Sequence, residues 1–169
     1  NFVGVETNDA APQPYPVFDD GTVDANDLVL VGLIYASAAV KVSEYYALDD
    51  IADLSIYGVG CANNGGGSDG QEWTFPAASA AKGDRIFVAR DSTAFADYFG
   101  FSANFYDPDG DAHSFNGDDP FELFGNGEVI DTYGDVELDG TGLDWEYVNT
   151  WVQRKCATGP DAAFVLENW

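Results

Sequence analysis

The chain alternates short apolar runs with clusters of turn residues, a pattern typical of a β-rich domain. Residues 28–36 (LVLVGLIYA) are almost continuously apolar, which predicts a buried strand. Residues 40–48 (VKVSEYYAL) alternate instead, with Val42 and Tyr46 on an apolar face that also carries Glu44. Further short strands are predicted at residues 52–60, 73–75, 85–89, 143–152 and 163–166.

The most specific local signal is the Asn126-Gly127 pair inside residues 115–135 (FNGDDPFELFGNGEVIDTYGD). A type I′ turn needs positive φ at both central residues, and Asn-Gly adopts that conformation readily. We therefore predict a β-hairpin whose strands are residues 121–124 and 128–133.

Helix is predicted at residues 91–99 alone, with Asp91 or Ser92 as N-cap. Phe95, Tyr98 and Phe99 would face the core from this helix. Many short strands with little helix indicate an all-β fold, an antiparallel β-sandwich formed by residues 28–169. Residues 1–27 are rich in Pro and Asp and are predicted to form an extended N-terminal arm.

Charge narrows the range of partners. The chain of 169 residues carries 30 acidic side chains against 6 basic ones, a net charge of −24. Nucleic-acid affinity comes mainly from Lys and Arg on phosphates, so we expect no nucleic-acid binding. The acidity suits either a saline setting, where the repulsion is screened, or binding of divalent cations. The longest apolar run is too short for a transmembrane helix.

Two cysteines, Cys61 and Cys156, lie in Gly-rich or turn-like surroundings. The sequence starts at Asn1 and contains no Met, so we expect that a targeting peptide has been removed and that the protein is secreted or lumenal. In that setting a Cys61–Cys156 disulfide is expected, and it would contribute about 4 kcal/mol in the chain-entropy model. The alternative is two free buried thiols.

Several motifs in order resemble the lamin tail domain family, in its secreted bacterial and algal (diatom-like) forms. They are Glu44 in the strand 40–48, Asp53-Leu54-Ser55, the corner Asn116-Gly117-Asp118-Asp119 with its hairpin, and Trp151 with Arg154. The resemblance covers residues 28–169 and implies an immunoglobulin-like β-sandwich that acts as a non-catalytic module. The two cysteines, the N-terminal arm and the strong acidity are departures from the family pattern.

One acidic loop is a candidate calcium site. Asp107, Asp109, Asp111 and Asp118 occupy positions 1, 3, 5 and 12 of the run DPDGDAHSFNGD. Calcium takes six to eight oxygen ligands, and closely spaced carboxylates supply them. The Gly stands at position 4 rather than 6, and a solvated turn with Asp side chains bonded to the backbone is the alternative.

No coherent catalytic constellation emerges from the sequence. His113 is the sole histidine, no nucleophile motif lies near it, and we interpret it as a surface loop residue. Glu44 and Arg154 are the polar residues expected to be partly buried, and an ion pair between opposite strands would explain both. The four Trp residues are expected in the core, although Trp169 could instead anchor the C-terminus or dock into a partner.

We therefore expect a non-enzymatic structural or protein-interaction subunit that contacts protein partners through the N-terminal arm, loops or sheet edges. One alternative is a calcium-dependent surface or carbohydrate-binding module. Others are a hydrolase with paired carboxylates, or an accessory module of a secreted hydrolase.

Overall fold

The computed structural model describes residues 25–169, which form two β-sheets and one short helix. The strands are β1 (Leu28–Tyr35), β2 (Lys41–Ala47), β3 (Tyr57–Cys61), β4 (Trp73–Thr74), β5 (Arg85–Ala89), β6 (Phe105–Tyr106), β7 (Phe121–Gly125), β8 (Glu128–Tyr133) and β9 (Thr150–Gln153). The first sheet has the order β6-β5-β2-β1-β9 and the second the order β4-β3-β7-β8. This architecture is consistent with the predicted β-sandwich. The predicted arm, residues 1–27, falls outside the described residues except for its last three.

Both faces of the first sheet are covered. Tyr45 of β2 belongs to the main core between the sheets, together with Leu123 of the second sheet. Val42, on the opposite face of β2, packs in a second cluster with Phe95 of the helix α1 (Ser92–Phe99). The alternation in β2 is therefore confirmed, but the face turned to the main core is the one that carries Ser43 and Tyr45.

The predicted hairpin is confirmed. Asn126 and Gly127 have φ values of 53° and 84°, the positive values that a type I′ turn requires. The strands β7 and β8 pair antiparallel from Phe121 opposite Tyr133 to Gly125 opposite Glu128, with a register shift after Leu123. Odd-numbered residues at the start of β7, such as Leu123, enter the core, so Glu122 lies on the outer face.

The helix is also confirmed, with Asp91 as its N-cap. Asp91 Oδ1 accepts a hydrogen bond from Ala94 N at 2.7 Å, and Gly100 ends the helix with φ of 80°. Phe95 is buried as predicted. The prediction for Tyr98 is wrong, since this side chain is 59% exposed on the solvent side of the helix.

Other predicted strands are shorter than expected or differ in kind. Residues 52–60 begin with a 3-10 turn, Leu54–Ile56, and only then enter β3. Only the end of the predicted strand 143–152 is extended, within β9 (Thr150–Gln153), and residues 163–166 form no strand. The strand β6, which pairs parallel to β5, was not predicted and makes the first sheet mixed. Within residues 25–169, no helix has the length and apolar character needed to cross a membrane.

Candidate functional sites

A chain of four buried polar side chains lies between the two sheets. Ser43 and Tyr45 come from β2, His113 from the 3-10 turn Ala112–Ser114, and Asp107 from the loop before that turn. Tyr45 OH donates to Ser43 Oγ at 2.7 Å, and Ser43 Oγ lies 2.8 Å from His113 Nε2. His113 Nδ1 lies 3.1 Å from Asp107 Oδ2, which also accepts the backbone N–H of His113. We call this chain the buried relay.

The prediction that His113 is a surface residue is wrong, because its side chain is fully buried. Burial lowers the pKa of His113 below its ordinary value, although Asp107 acts in the opposite direction, so the ring is neutral. The Asp107 carboxyl also loses solvent, but hydrogen bonds from His113 outweigh this and lower its pKa. One tautomer satisfies every group: Nδ1–H donates to Asp107, and Nε2 accepts the Ser43 hydroxyl proton.

The order Ser43, His113, Asp107 matches the order of groups in a hydrolase triad. A triad works only where its nucleophile meets a substrate, yet Ser43 and His113 are 0% exposed and Asp107 is 1% exposed. The Ser43 oxygen is also occupied by the proton of Tyr45. In this state the relay pairs polar groups in the core, which is a structural role.

The four aspartates of the candidate calcium loop are not brought together. Asp107 is buried in the relay and accepts Gly110 N at 3.0 Å, whereas Asp109 and Asp111 are exposed. Asp118 Oδ2 accepts a hydrogen bond from Thr141 Oγ1 at 2.8 Å. Residues 25–169 contain no group of three or more His, Cys, Asp or Glu side chains arranged to hold a metal ion. The structure thus gives the calcium hypothesis no support.

The expected Cys61–Cys156 disulfide is absent, and both thiols are free. Cys61 ends β3 with its side chain in the main core, and its thiol contacts Asn63 Oδ1 at 3.6 Å. Cys156 follows β9 and is exposed. The two thiols do not meet because Cys61 faces the core from the second sheet, whereas Cys156 is exposed in the segment after β9 of the first sheet. Burial raises the pKa of the Cys61 thiol.

The predicted burial of Glu44 and Arg154 is confirmed, but the predicted ion pair between them is wrong. Glu44 Oε1 lies 3.1 Å from Arg85 Nε, an ion pair without hydrogen-bond geometry, on the outer face of the first sheet. Arg154 instead lies near Asp131 of β8, with Nη2 2.5 Å from Asp131 Oδ1. Glu44 and Arg154 have different partners because Glu44 lies on the outer face of the first sheet, whereas Arg154 points inward to Asp131 of the second sheet.

Arg154 and Asp131 form a buried clamp that joins the two sheets and the C-terminal segment. Arg154 Nε donates to Leu30 O at 2.7 Å, and Asp131 Oδ2 accepts Leu30 N at 3.0 Å. Arg154 Nη1 donates to Asp161 at 2.9 Å, and its guanidinium lies over the Trp169 ring at 4.4 Å. Burial raises the pKa of Asp131 to about 6, against the opposing effects of Arg154 and two backbone N–H groups.

Sequence reasoning missed Asp131, although a signal was present. Asp131 lies two residues before Tyr133 in an alternating strand, so both side chains point to the core face. An acid at such a position requires a buried partner, which here is Arg154. The alternative interpretation of Trp169 as a C-terminal anchor is confirmed, since its ring also packs on Tyr133 at 4.6 Å.

The edge strand β9 carries the most exposed of the large hydrophobic side chains among residues 25–169, Trp151, which is 66% exposed. The expectation that Trp151 lies in the core is therefore wrong, whereas Trp145 is buried and Trp73 packs against the core. Trp151 stands opposite Ile34 of β1, on the outer face of the first sheet.

No family model matches the chain, and no curated protein and no solved structure matches it. The resemblance to lamin tail domains, with the immunoglobulin-like topology that it implies, therefore stays a prediction.

Proposed function

We propose that the protein is a non-enzymatic β-sandwich that acts as a protein-interaction subunit of a larger assembly, with β9 as its docking edge. The observation that carries this proposal is that β9 is an edge strand among residues 25–169 and carries an exposed Trp151. The occupant that we propose is an extended segment of another protein, added to the first sheet as a further strand.

The hydrogen-bond register of β9 shows which backbone groups are available. Arg154 N donates to Val31 O at 2.9 Å, and Val152 stands opposite Leu33. In an antiparallel pair alternate residues bond to the neighbouring strand, so Trp151 and Gln153 direct their N–H and C=O groups away from β1. Among the described residues no strand pairs with that side of β9. An unpaired edge of this kind is a template for another strand.

Side chains and charge define the partner further. Trp151 offers a large apolar surface beside the edge, and Trp is among the residues that contribute most at protein interfaces. The net charge of −24 favours a partner segment that carries Lys or Arg and disfavours pairing with a second acidic copy.

Two further features bear on other functions. Within residues 25–169 no group of acidic side chains is arranged to hold a metal ion, which disfavours a calcium-dependent module. The burial of the relay disfavours a hydrolase that uses Ser43, which is a different mechanism from the paired-carboxylate hydrolase. The resemblance to secreted lamin tail domains agrees with a non-catalytic module in a secreted or lumenal setting. We propose that setting on the resemblance and on the acidity of the chain.

The test is cryo-electron microscopy and native mass spectrometry of the protein isolated from its source. We expect the chain in an assembly, with an extended segment of another subunit along β9. Trp151→Ala should weaken the association about thirtyfold or more, as for a Trp at the centre of an interface. Gln153→Pro should also weaken it, because it removes an outward N–H without touching a bond to β1.

Tyr98→Ala is the matched control, since Tyr98 is similarly exposed but belongs to α1 and not to the edge strand. It should leave the association unchanged. A chain that is monomeric in every preparation contradicts the proposal, as does an assembly that survives both β9 variants. Deletion of residues 1–24 distinguishes docking through β9 from docking through the N-terminal arm. If β9 makes the contact, the shortened chain still assembles. If the arm makes the contact, assembly is lost.

A further inference from the structure

The outer face of the second sheet carries a pocket with a buried acid at its base. This acid is Glu122 of β7, which lies opposite Thr132 of β8. The pocket has a volume of about 330 Å³, and its walls come from Asp135 and Val136 after β8 and from Phe164 of the C-terminal segment. That segment is held in place by Thr132, whose backbone N–H donates to Asp161 O at 2.9 Å and whose hydroxyl donates to Ala162 O at 3.1 Å.

The buried carboxyl group of Glu122 has one oxygen without a hydrogen-bond donor among the described residues. Glu122 is 3% exposed, and no donor among residues 25–169 reaches its Oε2. Burial raises the pKa of Glu122, and the opposing effect of the nearby Ser68 side chain is smaller. A buried carboxylate oxygen without a donor is costly, so such a group in a folded protein calls for an explanation.

The pocket contains acidic and apolar groups and no basic side chain. Asp135 is exposed, and its Oδ1 accepts a hydrogen bond from Glu137 N at 3.0 Å. Val136, Ala163 and Phe164 contribute an apolar wall. This combination repels anions and leaves two carboxyl groups, Glu122 and Asp135, that can accept hydrogen bonds.

We propose that this pocket binds a primary alkylammonium group, with the charged nitrogen between Glu122 and Asp135 and the alkyl chain along the wall of Val136, Ala163 and Phe164. An ammonium group carries three N–H donors and no acceptor, which matches an unbonded carboxylate oxygen at the floor and a second carboxylate at the rim. The apolar wall suits a flexible methylene chain of the kind that lysine side chains and polyamines share.

The experiment is an NMR titration of the full chain with n-butylammonium chloride, followed through the backbone amide signals. We expect saturable shifts at residues that line the pocket, with a dissociation constant in the millimolar range. Sodium butyrate and n-butanol have the same carbon chain without the positive charge and should cause no saturable shifts there. Equal binding of n-butanol would show an apolar pocket only and would overturn the proposal.

Glu122→Gln should weaken butylammonium binding about tenfold or more, because it removes the buried charge while keeping the shape. Glu128→Gln is the matched control, an exposed acid on the same β8–β7 hairpin at its far end, and should leave binding unchanged. Equal affinity in wild type and Glu122→Gln overturns the proposal, as does equal weakening by both variants, which indicates a general counterion effect.

A readout on the wild type keeps the proposal testable if Glu122→Gln perturbs the fold. Binding should strengthen as pH rises through the Glu122 titration, since the carboxylate and not the acid attracts the cation; binding independent of pH in that range overturns the proposal.

Two further ligands distinguish the source of the ammonium group. Tighter binding of Nα-acetyl-lysine methylamide than of putrescine identifies a lysine side chain of a protein, and the reverse order identifies a free polyamine.

Discussion

His113 and Cys61 show how burial sets the chemistry of single side chains in this protein. Each lies in the core with a polar partner, His113 on Asp107 and Cys61 on Asn63. The burial lowers the pKa of the imidazole and raises that of the thiol, so both groups are held in their neutral forms. Groups that are reactive in an exposed position are thereby made unreactive.

The two cysteines should differ sharply toward a thiol reagent. In the native protein we expect Cys156 to react quickly with Ellman's reagent and Cys61 to react only after unfolding in urea, because one is exposed and the other buried. The measurement is the number of protein thiols per chain that react, with and without urea, before any reductant is added. If neither thiol reacts until a reductant is added, the two cysteines form the disulfide that the sequence led us to expect, and the free-thiol arrangement is wrong.

His113 should resist protonation in the folded state. Because the chain has one histidine, its ring signals in NMR are unambiguous, and we expect no titration near pH 6.5, the ordinary value. The unfolded chain binds a proton there and the folded chain does not, so the free energy of unfolding should fall as pH drops below 6.5. The slope from this group is at most about 1.4 kcal/mol per pH unit.

His113→Gln provides the control for that pH dependence, since it retains a hydrogen-bonding side chain but does not titrate. The variant should be less stable at pH 7, and the difference from wild type should shrink toward pH 5. A ring signal that titrates at pH 6.5 in the native protein would contradict the buried relay.

At the scale of elements, the positions of the hairpin and the helix are determined by the residue types at their turn and cap. Asn126 and Gly127 adopt positive φ, and Asp91 caps the first turn of α1, as their residue types predict. The 3-10 turn Leu54–Ile56 also begins at a local cap, since Asp53 Oδ1 accepts a hydrogen bond from Ser55 N at 2.9 Å. The parallel strand β6 follows no such local rule and depends on where the first sheet brings the chain.

The N-cap of α1 can be tested without disturbing the core. Asp91→Ala should lower the free energy of unfolding by about 1 kcal/mol, because Ala94 N loses its acceptor. That loss corresponds to a decrease of about 2–4 °C in melting temperature for a chain of this size. Asp91→Asn keeps an acceptor oxygen and should stay near wild type; a loss equal to that of the Ala variant would argue against the cap.

At the scale of the whole molecule, the clamp of Arg154 and Asp131 ties the sandwich together. It satisfies both backbone groups of Leu30, at the point where β1 and β2 shift register. It also links β1 of one sheet to β8 of the other and holds Asp161 and Trp169 of the C-terminal segment. A single guanidinium thus connects three parts of the chain.

Loss of Arg154 should be among the most damaging single substitutions. We expect Arg154→Gln to lower the free energy of unfolding by about 3–5 kcal/mol, because it leaves Asp131 buried without its charged partner. Urea denaturation measures the loss. Arg85→Gln removes the partner of Glu44, and because the Arg85 side chain is 54% exposed this pair is weaker, so the variant should cost clearly less than Arg154→Gln. Comparable losses for the two variants would contradict the dominant role of the clamp.

The sequence by itself determined the elements whose structure depends on near neighbours: the buried strand β1, the Asn-Gly hairpin, the capped helix and the β-rich class. It also identified Glu44 and Arg154 as buried charges, Glu44 because it interrupts an apolar pattern. Only the tertiary structure decided their partners, the burial of His113, the separation of the two thiols and the exposure of Trp151. These depend on which strands become neighbours and which face each sheet turns inward, and such contacts join residues far apart in the chain. A local pattern states that a side chain is apolar or charged, but the packing of two sheets determines what lies opposite it.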